Sequence, residues 1–276
     1  MPPPSTSSTT HPLRIQHTPT DIECGVDEVA RGCLLGRVYA GAVVWQLPES
    51  TTGNSYESSL PVLPKGIVIR DSKTMSRAQR ERADAWIRQE AYAVAVAYRD
   101  EGYVDTHNIR QAAHDAMALA IREVNAQTHT RSGGQCAVQL ALIDGDAFAP
   151  QGERVRPRDE VVPLFREPTP PAIPQHPQHP HHPHLAPSPS PPTQLPPYHC
   201  VIKGDNTYFS IACAAIVAKV AHDRYIQDLC DAQPELDTRY DLRKNVGYGT
   251  AKHREGLRTY GPSVYHRRTF AGVKHT

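Results

Sequence analysis

The chain has 276 residues, enough for one large domain or two small ones with a buried core. Lys and Arg total 30 against 29 Asp and Glu, a net charge of +1, so no global basic field draws nucleic acid and any such contact must rest on a local patch. Six cysteines lack zinc spacing and mostly lie in apolar runs, which points to a reducing compartment without structural disulfides, and no apolar stretch is long enough to span a membrane.

Residues 1–20 contain no acid and carry Pro2-Pro3-Pro4, and they read as a disordered tail rather than a transit peptide. Ile22–Asp27 and Val38–Gln46 read as strands, the second with Val, Tyr and Trp suited to a pleated surface. A Ser/Thr/Gly/Pro connection follows from Leu47 to Lys65, then Gly66–Arg70 leads into Asp71-Ser72-Lys73. Ser76-Arg77-Ala78-Gln79 has capping-box form and opens an amphipathic helix containing Ala83, Trp86 and Ile87. Tyr92–Arg99 alternates like a strand. From about Thr106 a helix sets Ile109, Ala113, Ala116, Met117, Ala120, Ile121 and Val124 on one face. Cys136–Ile143 is almost wholly apolar, an interior strand ending on Asp144-Gly145.

The composition then changes. Residues 151–198 are polar and Pro-rich, and proline breaks both helix and strand, so this insert is expected to be disordered and to stay out of the core. Its histidine run can bind transition metals adventitiously but lacks the fixed geometry of a specific site. Tyr198–Ile202 reads as a short strand ending in Lys203-Gly204-Asp205, and a long Ala-rich helix runs from about Tyr208 to Asp231. The expectation is a single domain over 21–276, interrupted by the insert.

Asp27, Asp144 and Asp205 each stand at the C-terminal end of an expected strand, where an α/β sheet forms its ligand crevice. With Glu28 they bring four carboxylates together, which is tolerable only with divalent cations or raised pKa values. Oxygen-only ligands favour Mg²⁺ or Mn²⁺ over Zn²⁺, and such a site suits in-line displacement at phosphorus. Asp146 lies close, but strand phase favours Asp144. Asp223, beside Arg224 on the long helix, reads as a structural acid on a solvated face.

GVDEVARGCLLGRV (25–38), RDSKTMS (70–76), NIRQAAHDAMALAI (108–121), LIDGD (142–146), KGDNTYFSIACAAIVAKVAHDR (203–224), GYGTAKH (247–253) and HRRTF (266–270) together resemble ribonuclease HII, the type 2 ribonuclease H. The resemblance spans nearly all of 21–273 apart from the insert. It implies an α/β ribonuclease H-like fold with a mixed central sheet flanked by helices and a C-terminal helical part. It also implies cleavage of the RNA strand of RNA–DNA hybrids, and cleavage 5′ of a ribonucleotide embedded in duplex DNA, leaving 3′-OH and 5′-phosphate ends. The metal-binding acids then fall on Asp27, Glu28, Asp144 and Asp205. Ala30-Arg31-Gly32 corresponds to the turn whose backbone reads the ribose 2′-OH, Tyr248 to the aromatic stacking on the following sugar, and Lys73 and Asn108 to phosphate contacts. A monomer in the cytoplasm, nucleus or mitochondrion is the accompanying expectation, with RNA–DNA hybrid and ribonucleotide-containing duplex as partners and no membrane.

The chain departs from the family pattern at Ala30, usually Gly, where a methyl group is costly if φ is positive. Cys213 and Ala215 also depart, and Ala215 removes a possible hydroxyl contact. A catalytically weakened hybrid-binding module is therefore the competing reading. His253 and His266 carry no assigned chemistry. Arg267-Arg268 reads either as a solvated terminus or as a grip on duplex phosphates.

Overall fold

The computed structural model describes residues 13–47, 60–152 and 194–274. Five strands form one mixed sheet in the order β3-β2-β1-β4-β5: β1 (Glu23–Val29), β2 (Val38–Val44), β3 (Ala93–Arg99), β4 (Leu140–Asp144) and β5 (Tyr198–Val201). β1, β2 and β3 pair antiparallel, whereas β4 and β5 continue from β1 in parallel. Helix α1 (Arg77–Glu90) precedes β3. Two helices then follow, α2 (Glu101–His107) and α3 (Ile109–Arg131), before β4. The C-terminal part is helical: α4 (Phe209–Ala232), α5 (Pro234–Tyr240), α6 (Leu242–Asn245) and α7 (Ala251–Tyr260).

Strand period decides the layers. Cys24 and Val26 of β1, with Ala141 and Ile143 of β4, pack on the face covered by α3 through Ala116, Met117, Ala120 and Ile121. The opposite face takes α4. Gly25 and Gly41 let it come down onto the sheet: a Cβ at Gly25 would lie 2.3 Å from Ile211 N, and one at Gly41 would lie 2.4 Å from Ala214 O. This close approach explains the small residues at the start of α4, where Ile211, Ala212, Cys213, Ala214 and Ala215 are all buried. Each fully buried Ile, Val or Leu here contributes roughly 1.5–3 kcal/mol.

The capping box forms as expected: Ser76 Oγ accepts the Gln79 N–H at 3.3 Å and Gln79 Oε1 accepts the Ser76 N–H at 2.9 Å. Other expectations shift. The helix expected from about Thr106 is two helices, because Asn108 takes φ 66° and its side chain caps α3 by accepting the Gln111 N–H. α2 is an additional helix that the sequence pattern did not announce, capped by Asp100, which accepts the Tyr103 N–H. β4 starts at Leu140 rather than Cys136, because side chains capture the preceding backbone: Ser132 Oγ accepts the Cys136 N–H and Asn125 Oδ1 the Val138 N–H.

The segment expected as a disordered tail enters the fold from residue 13. The Arg14 N–H donates to Thr207 O at 2.7 Å, the Phe209 N–H donates to Arg14 O at 2.9 Å, and Leu13 and Ile15 pack against the core. This strap accepts an N–H that α4 cannot satisfy within its own first turn. Residues 153–193 of the Pro/His-rich insert lie outside the described residues. The expected insert boundary at 198 moves inward, since Leu195 is buried and Ala141 N–H donates to Pro197 O. All six cysteines are free thiols, five of them buried.

Candidate active site

Register builds the carboxylate cluster. Val26 pairs with Ile143 across the parallel β1–β4 ladder, so Asp27 and Asp144 are the next residues on neighbouring strands, about 4.8 Å apart in the sheet direction. Both share the phase of Gly25 and Leu142, the face on which the first turn of α4 sits. Asp205 does not stand on a strand end as expected. β5 stops at Val201, Lys203 adopts a left-handed conformation, and Asp205 lies in the 3-10 turn Gly204–Asn206 just before α4. That turn reaches back to the strand, with the Gly204 N–H donating to Asp144 Oδ1 at 2.6 Å. Asp146 is exposed, two residues beyond the strand end at Asp144.

The acids perturb one another. Burial first, then Glu28 and Asp144, push the Asp27 carboxyl well above the ordinary carboxylate range. Burial likewise raises Asp144 and Asp205, with Glu28 adding to the first and Asp144 to the second. The backbone stabilises both as carboxylates, since the Glu28 N–H donates to Asp27 Oδ1 at 2.7 Å and the Gly204 N–H to Asp144 Oδ1 at 2.6 Å. Glu28 is paired with Arg31, whose Nη1 donates to Oε1 at 3.0 Å. Among the described residues, no three His, Cys, Asp or Glu side chains close into a shell ready to hold an ion. The donor set nevertheless suits a hard divalent cation: it is all oxygen, and its charge repulsion is of the kind such a cation would relieve.

The remaining candidates divide. Lys73 is exposed near Asp144 and Asp205, where its charge lowers the pKa of both. Tyr248 joins the 30–32 turn through a bridge to Cys33, and a Cβ on Gly32 would lie 3.7 Å from Tyr248 Cε1. Its ring is 37% exposed, with Lys219 Nζ 5.5 Å from its centroid. Arg31 and Gly32 are exposed, while Ala30 is buried at φ 72°. Asn108 is exposed, and its side chain caps α3 by accepting the Gln111 N–H at 3.1 Å.

The family model described as Ribonuclease HII matches residues 193–273. Ribonuclease HII of Thermosynechococcus vestitus is 32% identical over 89% of this chain and 82% of its own length, and that of Parabacteroides distasonis is 31% identical over 90% and 89%. The chain belongs to the ribonuclease HII family. The solved ribonuclease H2 from Pyrococcus horikoshii OT3, 16% identical, shares its fold with a TM-score of 0.54 over 91% of this chain and 95% of that one. As a ribonuclease H the protein is a nuclease and a hydrolase.

Around the candidate site, three residues differ from what the sequence led one to expect or were not signalled by it. Asp223 is not on a solvated face: it is 7% exposed and accepts from Lys219 Nζ at 2.7 Å, from His222 Nδ1 at 3.0 Å and from Arg80 Nη2 at 3.2 Å. Despite burial, His222 and Lys219 hold its carboxyl below the ordinary range. Behind it, His222 Nε2 lies 3.9 Å from Cys33 Sγ, whose thiol burial pushes up to about 12. Arg267 is neither a solvated terminus nor a phosphate grip. It is 0% exposed, with its guanidinium against the backbone of the 30–32 turn. Two adjacent arginines in HRRTF give no signal of which one is inside.

Proposed function

We propose that this ribonuclease H hydrolyses the RNA strand of RNA–DNA hybrids and the phosphodiester 5′ of a ribonucleotide embedded in duplex DNA, leaving 3′-OH and 5′-phosphate ends. The observation that carries the reading is the placement of Asp27 and Asp144 on adjacent parallel strands, desolvated, with Glu28 close enough to raise the pKa of both and Asp205 that of Asp27. Asp27, Glu28, Asp144 and Asp205 would hold Mg²⁺ or Mn²⁺, which when bound supplies an activated water and charge stabilisation at the leaving 3′ oxygen.

The chain's own residues do the rest. Lys73, beside Asp144 and Asp205, attracts the scissile phosphate to the acids, and Asn108 offers a further backbone contact. The Ala30-Arg31-Gly32 turn reads the 2′-OH through its backbone, and Tyr248, exposed beside Gly32, offers its ring to the neighbouring sugar. The left-handed Ala30 favours the competing reading, a weakened hybrid-binding module, but all four acids are present.

A duplex carrying one ribonucleotide, incubated with Mg²⁺ or Mn²⁺, tests the proposal. Cleavage on the 5′ side of the ribonucleotide, none with chelator, and none on the all-DNA duplex are expected. Hybrid binding without cleavage under either ion would establish the binding-module reading instead.

A further inference from the structure

Ala30 stands at φ 72°, a conformation that an L-residue with a Cβ adopts only at a cost. Something must hold it there, and the contacts identify what does. Arg267 Nη1 donates to Ala30 O at 2.8 Å and to Arg31 O at 3.2 Å, and Arg267 Nε donates to Gly36 O at 2.8 Å. One rigid guanidinium fork thus binds three carbonyls of the same connection. A peptide unit is planar and trans, so its C=O and the following N–H point in opposite directions. Drawing Ala30 O and Arg31 O inward therefore turns the Arg31 and Gly32 N–H groups outward. Both residues are exposed, next to Glu28 and Tyr248.

Arg267 is itself fixed from the other side by α2. Asp105 accepts the N–H groups of Arg268 at 2.8 Å and Thr269 at 3.0 Å and the Thr269 hydroxyl at 2.7 Å. Arg267 Nη2 and Glu101 Oε2 are both buried without a hydrogen-bond partner among the described residues, and their opposite charges favour each other. The Arg267 guanidinium also lies 5.2 Å from the Phe270 ring centroid. A residue gripping substrate phosphate would be exposed; this one is enclosed.

We propose that Arg267 is the positioning residue that sets ribose discrimination, by clamping Ala30 left-handed and aiming the Arg31 and Gly32 N–H groups at the 2′-OH. The inference rests on the reading of the 30–32 turn given under Proposed function. It makes the carbonyl clamp, rather than glycine's backbone freedom, the device that shapes this turn.

The test compares binding, in EDTA so that nothing is cleaved, of a single-ribonucleotide duplex and the matching all-DNA duplex. The proteins are wild type, Arg267→Lys, Ala30→Gly and the double variant. Lysine keeps the charge but cannot bridge three carbonyls. Arg267→Lys should lose about tenfold of the ribonucleotide preference, the worth of a misdirected hydrogen bond, while all-DNA binding stays unchanged. Ala30→Gly in that background should restore part of it, because glycine reaches φ 72° unaided. If Arg267→Lys does not fold, Asp105→Ala, which loosens the 267–269 segment from its less buried side, should show the same loss in smaller measure. Equal loss on both duplexes, or an unchanged preference in a folded variant, would overturn the clamp. Absence of any preference in the wild-type protein would instead overturn the reading of the turn, and the clamp's role with it.

Discussion

Acidification below pH 6.5 should destabilise the fold through one buried imidazole, His266, which is 1% exposed. Its neighbours allow one proton arrangement. The Ser263 N–H donates to His266 Nδ1 at 2.9 Å, and the Ser263 hydroxyl lies 2.8 Å from the same nitrogen. The ring proton is therefore on Nε2 and is donated to His253 Nε2 at 3.0 Å. His253 in turn carries its proton on Nδ1 and donates it to Tyr248 O at 3.0 Å. Protonating His266 would set one N–H against another and place a second charge near Arg268. Burial, His253 and Arg268 accordingly lower its pKa from 6.5 to about 3.

The sign follows directly. The folded-state pKa lies below the unfolded one, so the unfolded chain takes up the proton that the folded chain refuses. Stability is unaffected well above pH 6.5, falls as pH drops below it, and levels off near 3. The slope is about 1.4 kcal/mol per pH unit, so the loss at pH 4.5 is about 3 kcal/mol. Urea unfolding of wild type and His266→Gln at pH 7 and pH 4.5 isolates this contribution, because distant carboxylates titrate alike in both proteins. The variant should start less stable at pH 7 but lose about 3 kcal/mol less on acidification. Identical losses in the two proteins would refute the proton arrangement.

Asp27→Asn or Asp144→Asn should lower cleavage by at least on the order of 100-fold while sparing duplex binding, since each removes a candidate ion ligand and leaves the surrounding surface in place; near-normal turnover would sink the assignment. Gly25→Val should prevent close docking of α4, whose backbone lies 2.3 Å from the site of a Cβ, and cost more than about 3 kcal/mol or abolish folding, as read by thermal melting. Truncation through residue 20 should lower the melting temperature by several degrees, about 1–3 kcal/mol, because the strap's backbone bonds to Thr207 and Phe209 and the packing of Leu13 and Ile15 are lost. An unchanged melting temperature would show that the strap contributes nothing to stability.

Local chemistry made much of this protein legible in its sequence. Alternation and β-branching marked β1, β2 and β3, Ser76 and Gln79 marked the start of α1, and the small residues after Phe209 anticipated close packing on a sheet. Each of these signals depends on residues within a few positions of one another. The strap at Arg14, the buried Asp223 and the clamp of Arg267 on Ala30 depend on partners far along the chain. Arg267 and Arg268 are chemically identical neighbours, and α2 and the 30–32 turn, brought together by the sheet, decide which one is enclosed. Burial and charge pairing arise when distant segments share a volume, so only the tertiary structure could assign them.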